Sequence, residues 1–384
     1  MEKLSRKIKN YFGFDASTAI RLKDFSSWKR FSNGFKYVLN RKSHPLAVPY
    51  YPITLMVEIS TVCNLKCPGC ERALYEEDPS IGGLPKSNVS FKNIMKLEKV
   101  LPYIYSTYFV AGLGEPFLNP EFWDIHNFFK KFRIKTGYFT NASLLDEEKI
   151  RRTFEEGTDS VIISIDASTK EKYEAIKKGS SWEKTISSIK MFSRFKKELK
   201  RKDFHLGLNY IFRSDNCEDI FDYLDLAKEL EINFINASGL IVHVESQKEN
   251  SFFNLKDDYK IRLFSRVKEK ADRLGIQIRL PNISPVDNCL CYRLWHEISI
   301  FYNGDVCACP FFRTPRPFYF HVKDGKVIYE KRRCNDTILG NYLKQDFFTE
   351  IWNGKRAQEL RRAELEKKQD FNPCGFCYYK SSLH

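Results

Sequence analysis

Between residues 54 and 282 the chain alternates six times between a short run of β-forming apolar residues and a longer stretch in which apolar residues return every three or four positions. No other feature restricts the possible folds so strongly, because strand–helix alternation builds a parallel sheet covered by its crossover helices. Strands are expected at Thr54–Ser60, Thr107–Ala111, Lys135–Thr140, Ser160–Asp166, His205–Phe212 and Asn233–Ala237, and helices at Phe91–Tyr103, Pro120–Phe132, Asp146–Glu155, Ser181–Lys200, Glu218–Glu231 and Lys256–Leu274. Six such units fit an α/β fold of the partial (β/α)6 TIM-like barrel type, in which chemistry collects on the loops leaving the C-terminal ends of the strands. A seventh short strand, Ile276–Leu280, is expected to close the edge.

Three domains are expected along the 384 residues: a basic amphipathic extension at 1–50, the barrel at 51–282, and a small cysteine-rich domain at 283–384. The extension ends in a proline-marked segment at Pro45, Pro49 and Pro52. After Pro281 the texture changes to cysteines, Gly-Asp turns and short strands. No run of about 18 apolar residues is present to cross a bilayer, and the charged N-terminus lacks the apolar stretch of a secretory signal. A soluble protein in the reducing cytoplasm is expected, so eleven cysteines argue for metal ligation or redox chemistry over a disulfide framework.

Their spacing sharpens that reading. Directly after the first strand stands Cys63-Asn-Leu-Lys-Cys67-Pro-Gly-Cys70. Three thiolates this close can ligate three irons of a cubane [4Fe–4S] cluster and leave the fourth iron open to an exogenous ligand, whereas a cluster used only for electron transfer normally has four cysteines. A zinc site would need a fourth ligand, and no histidine lies within the next 40 residues.

The loop, its place after a barrel strand, and the later strand ends resemble the radical S-adenosylmethionine superfamily over roughly residues 52–280. Gly112-Leu-Gly114-Glu115-Pro116 after the second strand is similar to that family's Gly-Gly-Glu-Pro motif, and Asn141, Ser164, Asp166 and Asn209 stand at later strand ends. The resemblance implies that Gly112, Gly114, Glu115, Asn141, Ser164, Asp166 and Asn209 contact S-adenosylmethionine chelated to the open iron. Reduction of the cluster would then generate a 5′-deoxyadenosyl radical that abstracts hydrogen from a substrate. Gly69 stands where the family usually has an aromatic residue before the third cysteine.

A second constellation begins at Cys289 and Cys291, runs through Asn303-Gly304, which suits a two-residue hairpin, and reaches Cys307 and Cys309. A hairpin would bring Cys291 and Cys309 together, and Cys374 and Cys377 supply two more thiols. The layout is similar to the SPASM and twitch auxiliary-cluster domains of the same superfamily. It implies one auxiliary [4Fe–4S] cluster on Cys291, Cys309, Cys374 and Cys377, with Cys289 or Cys307 as alternatives and a zinc ribbon on the same four ligands as the competing reading. Cys217 and Cys334 stand alone and read as small buried hydrophobes.

The expected function is therefore hydrogen abstraction from a peptide or small polar metabolite, with electrons from an external reductant such as flavodoxin or ferredoxin. The formal charge of +14 leaves RNA modification as an alternative, testable by salt-dependent binding, and a non-catalytic iron–sulfur electron carrier as another. Residues 1–48, with eleven Lys and Arg against three acids, also raise contact with a membrane surface.

Overall fold

The computed structural model describes residues 27–77, 83, 85–110, 112–283, 290–309, 319–323, 326–330 and 337–367. Cys289, Cys334, Cys374 and Cys377 lie outside the described residues, as do positions 1–26.

Seven strands follow the expected alternation: β1 (Thr54–Glu58), β2 (Ser106–Val110), β3 (Lys135–Thr140), β4 (Ser160–Ser164), β5 (His205–Phe212), β6 (Phe234–Gly239) and β7 (Gln277–Arg279). Each pairs in parallel with the next. Helix α1 (Trp28–Asn40) precedes β1, while α2 (Arg72–Glu77) and α3 (Phe91–Met95) join β1 to β2. The later crossovers hold α4 (Phe122–Lys131), α5 (Glu147–Glu155), the pair α6 (Lys170–Ile176) and α7 (Trp182–Glu198), α8 (Asp219–Glu229) and α9 (Asp257–Leu274). The chain then adds α10 (Arg293–His296), β8 (Glu297–Ile300), β9 (Asp305–Cys307), a separate hairpin of β10 (Tyr319–Lys323) and β11 (Lys326–Glu330), β12 (Ile338–Asn341), a π-helical turn at Phe347–Trp352, and α11 (Lys355–Leu365). The fold is a TIM-like α/β barrel sheet with helices outside. Among the described residues no helix is long and apolar enough to cross a membrane.

The sheet follows the pleat. Tyr210 and Phe212 on β5 meet Tyr223 of α8 and Phe264 of α9, with ring centroids 4.7 and 5.3 Å apart. The alternate residues Gly207, Asn209 and Ile211 therefore face the barrel interior.

Two expected elements change on folding. The helix foreseen over 91–103 stops at Met95: the chain then turns through i+3 bonds such as Leu97 N to Ile94 O, and Pro102, which has no N–H for an α-helical ladder, sits in a 3₁₀ turn, Leu101–Tyr103. The hairpin after Cys291 is not joined by a two-residue turn. Phe301 N donates to Asp305 O and Gly304 N to Phe301 O, with Gly304 at φ +89°, which makes a three-residue loop closed by a left-handed glycine.

The sheet also does not end at residue 282. β8 lies parallel to β1 in the register Thr54↔Glu297, and β9 and β12 extend it antiparallel, so the order is β12-β9-β8-β1-β2-β3-β4-β5-β6-β7. The proline-marked segment before β1 is stitched to the same C-terminal elements. Trp295 Nε1 donates to Pro45 O, Arg361 Nη1 to Leu46 O, Asn353 exchanges two bonds with Val48, and Trp352 Nε1 donates to Tyr50 O.

Helix α1 closes the opposite end of the barrel. Arg30 donates to the carbonyls of Phe132 and Arg133, Asn33 binds Tyr51 and the Tyr103 carbonyl, and Tyr105 Oη donates to Arg30 O. All these partners lie just before β1, β2 and β3, so α1 spans the N-terminal ends of those strands.

Two histidines, His126 buried and His296 largely shielded from water, give the fold an acid-sensitive stability. Burial lowers both His126 and His296 to about 4; His126 Nε2 bonds Thr136 Oγ1 and Thr158 Oγ1. Below pH ~6.5 the unfolded chain takes up these protons while the folded chain refuses them until about pH 4, so stability falls as pH drops through that window, by roughly 3 kcal/mol per histidine at its lower end. The urea midpoint is expected to decrease from pH 7 to pH 4.5, and less steeply in a His126→Gln variant.

Candidate functional site

The loop carrying Cys63, Cys67 and Cys70 leaves the C-terminal end of β1, where parallel strands leave backbone groups free for loop contacts. Thr61 N donates to Ser87 O, Glu115 N to Val62 O, and Arg72 Nη1 to the carbonyls of Thr61 and Leu113. Further along, Lys66 N donates to Lys178 O, and Cys70 N closes a turn on Cys67 O. The second glycine of the Gly112–Pro116 segment serves this loop directly. A Cβ at Gly114 would lie 2.5 Å from Ser60 O and 2.6 Å from Val62 O, so only glycine allows the two backbones to pass. Gly112 is exposed.

Gln247 closes the far side of the loop, a position that no local pattern marks. Its side chain is buried, Nε2 donates to Pro68 O at 2.9 Å and Cys70 O at 3.3 Å, and Oε1 accepts from His243 N. Leu240 from the same segment fills the space over Gly69, with Cδ1 3.3 Å from where a Cβ would stand. Gln247→Ala removes the donor from two carbonyls of the cysteine loop, an expected cost of about 1–3 kcal/mol. Iron retention during gel filtration should fall in this variant while the thermal transition stays cooperative.

The three thiols feel one another. Burial raises Cys63, Cys67 and Cys70, the last to about 11; Cys63 adds to the rise at Cys67, and Cys67 and Cys63 add to that at Cys70. Arg72 lowers Cys63 and Cys67, and Lys177 also lowers Cys67. Burying three mutually repelling sulfurs on one loop suits a cationic iron–sulfur core that takes them as thiolates, so the donor set fits a three-cysteine cluster.

Glu115 is buried against the end of β3. Its carboxylate accepts from Thr140 Oγ1 at 2.7 Å and Asn141 N at 2.9 Å, and burial raises it to about 7. It thereby fixes the end of β3, from which Asn141 Nδ2 reaches Cys63 Sγ at 3.9 Å and Asn64 Oδ1 at 3.2 Å. Asp166 is likewise held by the protein: Oδ1 accepts from Ile211 N and Oδ2 from the buried Lys177 ammonium at 2.5 Å. Burial opposes the charge on Lys177, but Asp166 and Cys67 outweigh it and raise the ammonium above its ordinary value. Ser164 and Asn209 are neighbours in the β4–β5 register on the interior face, and Asn236 Nδ2 donates to Asn209 Oδ1.

At the other constellation Cys309 lies near enough to Cys291 to influence its thiol. Burial raises Cys291 to about 12, with Glu364 and then Cys309 adding to the rise, and Cys291 N donates to Glu364 Oε1 at 2.8 Å. Cys307 points elsewhere: it is fully buried, with Sγ 2.7 Å from Thr337 Oγ1. Cys217 is buried, its Sγ donating to Arg213 O. The expected ligands Cys374 and Cys377, and the alternative Cys289, fall outside the described residues.

Comparison with known proteins agrees with this geometry. Residues 57–240 match the radical SAM superfamily, and residues 289–378 match the SPASM iron–sulfur cluster-binding domain. A protein of Pyrococcus furiosus named as the tungsten-containing aldehyde ferredoxin oxidoreductase cofactor-modifying protein is 23% identical over 306 residues, 79% of this chain and 81% of that one. Mycofactocin maturase MftC of Mycobacterium tuberculosis is 23% identical over 344 residues, 86% of this chain and 77% of that one. The crystal structure of Streptococcus suis SuiB bound to precursor peptide SuiA superposes with a TM-score of 0.60 at 16% identity, covering 86% of this chain and 71% of that one. The two domains go with a [4Fe–4S] cluster that binds S-adenosylmethionine and with an auxiliary iron–sulfur site. Residues 57–240 of this chain, which carry the three-thiol loop, are a radical SAM domain, and residues 289–378, which carry Cys291 and Cys309, are a SPASM domain.

Proposed function

We propose that this chain is a cytoplasmic enzyme that cleaves S-adenosylmethionine reductively at the Cys63–Cys67–Cys70 loop and acts on a peptide substrate. The observation that carries the reading is the loop itself: three interacting thiols at the C-terminal end of β1, held on one side by Gly114 and Glu115 and on the other by Gln247. The peptide reading draws on SuiB, solved with a precursor peptide. The Pyrococcus furiosus relative, named for modifying a cofactor, supports a small-molecule substrate as the second reading.

When bound, the cluster and S-adenosylmethionine supply a carbon–sulfur cleavage that yields a hydrogen-abstracting radical. The chain's own residues position that chemistry. Cys63, Cys67 and Cys70 bind the cluster, Asn141 orients Cys63, and Arg72 and Lys177 offset the negative charge of the thiolates. Glu115 and Asp166 fix Asn141 and Lys177 and keep acceptor capacity to spare, so they remain, with the glycine backbone at Gly112 and Gly114 and the side chains of Ser164 and Asn209, the groups proposed to contact S-adenosylmethionine. Cys291 and Cys309, with Cys374 and Cys377, bind one auxiliary cluster that takes or relays an electron. Flavodoxin or ferredoxin is the proposed reductant.

The test is anaerobic reconstitution followed by iron and sulfide counting and an assay for 5′-deoxyadenosine with dithionite and S-adenosylmethionine. About eight irons per chain, four for each cubane, together with 5′-deoxyadenosine formation support the two-cluster enzyme. A fully loaded protein that forms none, even with candidate peptides added, would make it an electron carrier.

A further inference from the structure

Helix α1 carries an apolar row on its outer side that docking onto the barrel does not use. Arg30, Asn33, Gly34 and Tyr37 form the buried stripe against the N-terminal ends of β1–β3. On the outer side Trp28, Phe31 and Phe35 follow one another with ring centroids 5.5 and 6.2 Å apart, and Val38 and Leu39 continue the row. Trp28 is 75% exposed, Phe35 55% and Leu39 64%. A contiguous apolar row of this kind on a protein surface marks an interaction site.

The charge around the row narrows the partner. Lys29, Lys36 and Lys42 are exposed beside it, and no Asp or Glu occurs between residues 25 and 57. Residues 1–48 carry eleven Lys and Arg against three acids, more than half of the chain's net +14. A second copy of the chain would bring like charge against like charge. Residues 1–26 are themselves basic, so they would add to the positive field without neutralising it. A nucleic acid would use the lysines and the rings but not the aliphatic pair Val38 and Leu39. Trp and Phe beside Lys is the composition that seats a helix in the headgroup region of an anionic bilayer.

We propose that the outer face of α1 docks the enzyme peripherally on an anionic lipid surface. The docked face lies at the N-terminal ends of the barrel strands and the cysteine loop at the C-terminal end of β1, so the site opens away from the lipid.

The test is flotation of the full-length protein with vesicles of phosphatidylcholine alone and of phosphatidylcholine mixed with phosphatidylglycerol. Binding is expected only to the mixed vesicles and should weaken as salt is raised. A Trp28→Ser/Phe35→Ser/Leu39→Ser variant should lose about tenfold or more of the partitioning, with circular dichroism and 5′-deoxyadenosine formation unchanged. Wild-type protein that fails to float with the anionic vesicles overturns the proposal. So does a triple variant that floats like wild type, which would place lipid binding elsewhere on the chain. A concentration-dependent dimer, or binding to an RNA oligonucleotide, that disappears in the triple variant while flotation persists would assign the face to that partner instead.

Discussion

A Cys63→Ala variant is expected to fold, to lose about half of its iron, and to form 5′-deoxyadenosine at less than about a thousandth of the wild-type rate. The fold should survive because the thiol is only half-buried and accepts just two long contacts, from Leu65 N at 3.5 Å and Asn141 Nδ2 at 3.9 Å. The activity should not, because two thiolates cannot hold three irons of a cubane. Iron retention near four per chain would show that the auxiliary site loads independently. Cys217→Ala is the matched control: its buried thiol donates to Arg213 O, the residue after β5, and takes no part in the cysteine loop, so both iron and turnover should stay at wild-type values. Equal iron loss in the two variants would mean that general instability, not ligation, controls loading.

Gly114→Ala is expected to be nearly as severe without touching a ligand. The new methyl group would meet the carbonyls of Ser60 and Val62, and these are backbone atoms that cannot rotate away like the end of a flexible side chain. Overpacking of this kind costs about 1–3 kcal/mol. The strain falls on the residues immediately before Cys63, so cluster content should drop together with the thermal midpoint. Gly83→Ala, where nothing lies within 4 Å of the added carbon, should change neither. Normal iron content in Gly114→Ala would show that the loop can shift without losing its geometry.

The barrel strands were legible because each combines a short β-forming run with turn signals, and the cysteine loop because three ligands at fixed spacing are local. What stayed hidden was whatever depends on residues far apart. Gln247 lies 177 positions from Cys70, on a segment with no motif, and only the folded chain shows its amide on the Cys70 carbonyl. The acid in the Gly-Glu-Pro segment was recognisable, but not the turn of its carboxylate toward Thr140 and Asn141. Cys307 and Cys309 have similar sequence surroundings, and a continued strand would send both to one face; β9 instead ends at Cys307, whose Sγ lies against Thr337, while Cys309 stands beyond the strand near Cys291. The pairing of β8 with β1 was invisible for the same reason, since four residues after a cysteine-rich stretch do not announce a parallel partner at the other end of the chain.

That β8–β1 pairing also fixes the separation of the two thiol groups. Cys63 stands beyond the C-terminal end of β1, while Cys307 opposes Ser299, the third of the four residues of β8, and the antiparallel chain runs from there toward the start of β8, with Cys309 two residues on. The two thiol groups therefore occupy opposite ends of one pair of strands, separated by several residues of rise at about 3.3 Å each. Rigid hydrogen-bonded strands keep that span constant, so the separation of the two thiol groups does not depend on what the barrel holds.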